Sequence, residues 1–153
     1  LKKVMKLILY ILFILSFGFL LFRLPHIYTK KKLFVILSLG LAASFVLLII
    51  GYFCFLMYSS KVNTNLMIYE KQVINFFMGI ISLFFFSLFI HFFTEIVFEK
   101  IIIGFHQNYN QSNFNKNPVK FVIEKREAIK NGFKILFFLG GFLIYYGVVY
   151  GSN

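Results

Sequence analysis

The sequence predicts an all-α membrane protein: a bundle of four transmembrane helices, with a short amphipathic helix ahead of the last. Three observations predict it. Hydrophobic residues make up 60% of the 153, and charged residues only 14%, against about 25% charged side chains in a soluble domain. The apolar residues fall into four runs parted by short basic or polar stretches, each close to the roughly 20 residues that cross a hydrocarbon core as a helix. The aromatic residues are dominated by 24 Phe, with no Trp; phenyl rings suit lipid and leave no indole N–H to satisfy.

The first span covers residues 4–22. A basic start followed by an apolar run has the layout of a signal peptide. However, no small-x-small cleavage site follows, and the run ends in Phe22, Arg23, Leu24 and Pro25. These features favour an uncleaved helix, with Lys6 snorkelling to the interface. Leu1 in place of Met points to a trimmed terminus or to a non-ATG start translated literally. With the Lys, Asn, Ile and Phe bias of AT-rich DNA, the second option suggests a bacterial gene. Pro25 is expected to end the helix, and residues 26–32 to form a basic turn in which His26 is solvated.

The second span covers residues 33–57. Ser38 with Ala42, and Gly40 with Ser44, are small residues four apart. Close helix approach at such residues supplies packing energy in lipid, where hydrophobic attraction between helices is absent. Residues 58–71 form a polar loop, and the third span covers residues 73–98, with Gly104 loosening any continuation. Residues 107–117, QNYNQSNFNKN, are polar and aperiodic and are expected to be a flexible loop. Asn117 and Pro118 read as an N-cap and first helical position. Residues 118–131 follow as an amphipathic surface helix, its lysines facing anionic lipid, or as a helical lead-in to the last span, with Gly132 as a break between them. The last span covers residues 133–150, where Gly140, Gly141 and Gly147 permit close packing and Tyr145, Tyr146 and Tyr150 crowd one end.

Charge sets the orientation. Lys2, Lys3, Lys6, Lys61 and Lys71 lie on one side of a four-span topology, and the other 11 of the 16 Lys and Arg lie on the opposite side. The positive-inside rule then places the first and third loops in the cytoplasm of a cell-membrane protein, with both termini outside. A net charge of +11 therefore speaks for anionic lipid. Nucleic acid is not an expected partner, because no polar segment interleaves basic and aromatic residues. The expected partners are the lipid bilayer and either another membrane protein or further copies of the chain.

Some chemistry is excluded. The lone Cys54 allows neither an intramolecular disulfide nor a C-x-x-C pair. Aspartate is absent, which removes aspartate dyads and Asp-rich two-metal sites. No phosphate-binding Gly-rich loop or nucleophile elbow is present. No residue is assigned a catalytic role, and no cofactor or metal is called for.

The one functional candidate is a polar stripe on the third span. Ser87, His91, Glu95 and Glu99 recur every four residues, with Thr94 on the margin, and so share one helix face. The structural reading makes Glu95 and Glu99 part of an ion-pair collar with Arg23, Lys32 and Lys134, and has His91 hydrogen-bond Ser87 or Glu95. The functional reading makes His91 and Glu95 a proton-handling pair, since ionisable groups inside a membrane often serve transport. A metal site of His91, Glu95, Glu99 and His106 is a third reading, but His-x-x-x-Glu supplies only two ligands on a face. Three functions follow in the same order. They are a non-enzymatic accessory, regulatory or protective (immunity-like) component, a small proton-coupled transporter or channel subunit, and a membrane-embedded metalloenzyme.

Overall fold

A computed structural model describes residues 2–62 and 69–151. No strand occurs among them. Four helices are long and apolar enough to cross a membrane, namely Lys3–Ile27, Lys30–Lys61, Glu70–Tyr109 and Arg126–Tyr150. The chain is thus an all-α membrane protein, as its composition demands. Leu1, the N-terminus of interest above, and residues 63–68 of the expected middle loop lie outside the described residues.

The helices run further than the apolar runs do. Helix α1 (Lys2–Gly18) passes through a π-helical segment (Phe19–Arg23) into α2 (Leu24–Ile27), so Pro25 does not end the first span. Pro25 sits near the start of α2, and the π register ahead of it pairs the Leu24 N–H with the Phe19 carbonyl. That i→i+5 register accommodates the proline but leaves one carbonyl short. The residue that would serve Leu20 is Pro25, which has no N–H.

Helix α3 (Lys30–Val62) begins inside the basic cluster, and α4 (Glu70–Phe92) continues through a second π segment (Phe93–Ile103) into α5 (Gly104–Tyr109). Gly104 does not interrupt it. The stretch expected to be a flexible loop carries the end of α5 and a short helix α6 (Gln111–Phe114), broken at Asn110. Helix α7 (Val119–Glu124) takes up less than half of the expected amphipathic helix. The break after it falls at Lys125, and α8 (Arg126–Tyr150) runs unbroken through Gly132. Residues 126–131 therefore belong to the same continuous helix as the last apolar run.

Helix α4 is the hub. It packs along α3 on one side and on α1 and α8 on the other, while α1 also packs on α8. The core between α1, α4 and α8 is built from Phe13, Phe17, Leu21, Leu83, Ile90, Tyr145 and Val149. Tyr145 stacks on Phe13 with ring centroids 5.3 Å apart and meets Phe17 edge-on at 5.5 Å. Such pairs add about 0.5–1.5 kcal/mol each beyond area burial, which matters in lipid, where helix association rests on dispersion and polar contacts.

The small residues act in pairs with phenylalanines. Gly40 faces the Phe84 ring, Gly51 the Phe77 ring, Gly79 the Phe13 ring and Gly141 the Phe17 ring, each so close that a Cβ would collide with it. The helices therefore meet through rings seated over glycines, not through bare backbones in contact. Ser44 is buried and returns its hydroxyl to the Leu41 carbonyl at 2.7 Å. Ser38 and Ala42 point outward, and Gly140 has open space where a Cβ would stand.

Candidate functional site: a charged clasp on a π-helical segment

The stripe begins in α4 and ends in the second π segment. In an α-helix a four-residue step overshoots a full turn by about 40°, so Glu99 would drift away from the face that carries Ser87. A π turn takes more residues and brings the drift back. As a result Glu95 and Glu99 present their carboxylates to one group, the Lys130 ammonium of α8, at 3.4 and 3.0 Å.

Lys130 is the centre of this cluster. Its side chain is only 6% exposed, and its third contact is Glu127, one turn earlier on α8, at 2.8 Å. An ammonium has three N–H donors and no acceptor, and here three carboxylates surround it. Glu95 uses its other oxygen differently. Oε2 makes no directional hydrogen bond but forms an ion pair with Lys30 at the start of α3. Glu95 therefore ties three helices together through two lysines.

The cations differ from those the sequence suggested. Arg23 and Lys32 are exposed and form no ion pair among the described residues, and Lys134 lies one turn beyond Lys130 without a direct ion pair of its own. A helix break at Gly132 would leave Lys130 on the membrane surface, but α8 runs through Gly132 and brings Lys130 to the two carboxylates. The i, i+3 pairing of Glu127 with Lys130 was the available signal, since it continues a helical face into residue 134.

His91 is also placed differently from the expectation. It is buried, and its Nε2 lies 3.2 Å from the Leu20 carbonyl; it reaches neither Ser87 nor Glu95. A carbonyl can only accept, so Nε2 carries the proton. The acceptor is the carbonyl that Pro25 cannot serve. The imidazole thus restores a hydrogen bond that the proline removes, and an unsatisfied carbonyl in such surroundings would be expensive. Thr94, also buried, bonds back to the Ile90 carbonyl at 2.9 Å. Ser87 is fully buried, and its hydroxyl has no partner among the described residues.

The proposed metal ligands separate. His106 lies on α5, where its Nδ1 accepts from Asn110 at 3.1 Å. The space between Glu95 and Glu99 is held by an ammonium. Among the described residues, no three of His, Cys, Asp and Glu come together as a metal site.

The chain matches no known protein family, no curated protein and no solved structure. What the site can do is therefore read from its geometry. The clasp locks α3, α4 and α8 at one level of the bundle, and the His91 contact locks α1 to α4 beside it. At the opposite end Tyr52 of α3 donates to the Glu70 carboxylate of α4 at 2.5 Å.

Proposed function

We propose that the protein is a non-enzymatic multi-pass component of a cell membrane, acting through helix–helix contacts as an accessory, regulatory or protective (immunity-like) subunit. One observation carries this reading: the ionisable stripe is engaged internally. Lys130 and Lys30 hold Glu95, Lys130 holds Glu99, and the Leu20 carbonyl holds His91. A His–Glu proton relay calls for the imidazole and carboxylate to meet, and a Glu–Glu metal site for a gap that an ammonium does not fill. The transporter and metalloenzyme readings are weaker for those reasons. Ionisable groups that pair with one another near helix ends serve as anchors.

The partner would sit on α3, whose outward face presents Ser38 and Ala42 among exposed Leu39, Val46, Ile49 and Phe53. Gly40 and Ser44 face inward, so enlarging them would test the fold rather than the complex. Affinity purification from the native membrane tests the proposal. The expected result is a stoichiometric membrane partner, lost with Ser38→Leu or Ala42→Leu at unchanged melting temperature. Isolation of the protein alone, with pH-driven flux in liposomes that Glu95→Gln abolishes, would instead establish the transporter. The excess of Lys and Arg in the first and third loops supports their cytoplasmic placement; a reporter fused after residue 153 should be active only outside the cytoplasm.

A further inference from the structure

Beside the clasp lies a groove of about 600 Å³ between the start of α3 and the second π segment. Two adjacent rows of the π segment form it. Glu95, Ile96, Glu99 and Lys100 line it from the π segment, and Lys30, Lys31 and Phe34 line it from α3. The lining carboxylates are already paired, Glu99 with Lys130 and Glu95 with both Lys130 and Lys30. Lys31 and Lys100, both exposed, have no ion pair among the described residues. The lining of the groove therefore carries two lysines with no ion pair among the described residues, beside two carboxylates that are already paired.

The groove also has a level and a polarity. It sits where the apolar run of α3 begins, and lysines at the end of a run that crosses a bilayer lie near the lipid headgroups. A volume of several hundred Å³ is ample for a small polar group. Basic pockets between helices at this depth suit lipid headgroup phosphates. We propose that this groove is a binding site for one anionic phospholipid. Lys31 and Lys100 bind its phosphodiester oxygens, and Phe34 and Ile96 line the path of its acyl chain.

The test uses the purified full chain in phosphatidylcholine vesicles doped with a trace of spin-labelled lipid. Labelled phosphatidylglycerol should show a larger motionally restricted fraction than labelled phosphatidylcholine. Each of Lys31→Gln and Lys100→Gln should reduce that preference about fivefold, the effect of removing one lysine near an anionic surface. Lys31→Arg should retain it, and Lys116→Gln, an exposed lysine at the same end, should leave it unchanged. Lys31 and Lys100 are exposed and have no ion pair among the described residues, so these variants should fold, and an unchanged melting temperature checks that they do. Three results overturn the proposal: equal restriction of the two lipids, a preference that survives the double variant, or displacement by inorganic phosphate alone. The last would mark the groove as a site for a soluble anion.

Discussion

Replacing Lys130 with methionine tests the clasp most directly. Methionine keeps the length and apolar stem of lysine but removes the ammonium. Among the described residues, the change takes the only ion pair from Glu99, whose side chain is 19% exposed, and leaves Glu95, 14% exposed, with Lys30 alone. Glu127 is 68% exposed and loses little. Stripping one partner from a buried ion pair costs about 3–5 kcal/mol. The lower end applies here, because Glu95 keeps a cation and Glu99 is not fully enclosed. About 3 kcal/mol corresponds to a fall of about 6–12 °C in melting temperature for a chain of this size. The assay is thermal unfolding in a single mild detergent, followed by near-UV circular dichroism. Adding Glu95→Gln and Glu99→Gln to Lys130→Met removes the stranded charges, and Lys30 is 72% exposed and can return to water. The triple variant should then regain most of the loss, to within about 1 kcal/mol of the parent, as neutral replacements of buried ion pairs often do. A single variant that melts within a degree of the parent, or a triple variant no better than the single, would refute the clasp.

Further variants probe the other contacts. His91→Phe should cost about 1–3 kcal/mol by orphaning the Leu20 carbonyl. In a Pro25→Ala background the cost should shrink, since residue 25 regains an N–H; equal costs in the two backgrounds would disprove the coupling. Gly79→Ala pushes a methyl group into Phe13 and Val148 and should lower stability by about 1–3 kcal/mol. Gly140→Ala meets open space and should raise it by up to about 1 kcal/mol through helix propensity; the two melting curves should therefore move in opposite directions. Tyr52→Phe removes the hydrogen bond to the Glu70 carboxylate, and hydrogen exchange at the start of α4 should rise.

Sequence alone decided the solvent and the architecture, because the length of an apolar run and the scarcity of charge are local properties. A chain with so few ionisable groups has to bury its backbone polar groups in helices when it enters lipid, whatever its neighbours are. The four-residue spacing of Ser87, His91, Glu95 and Glu99 is equally local, and it puts these residues along one face of the third helix. Only the tertiary structure decided what that face meets. Periodicity fixes which residues share a side, but the identity of a partner depends on where another helix crosses and in what register. Two π segments shift that register, one just ahead of Pro25 and the other bringing Glu99 into line with Glu95 on Lys130. The continuity of α8 through Gly132 carries Lys130 inward. Glycines divide for the same reason: Gly141 receives the Phe17 ring while its neighbour Gly140 faces outward, because consecutive residues on a helix point about 100° apart and only the fold says which direction holds a ring.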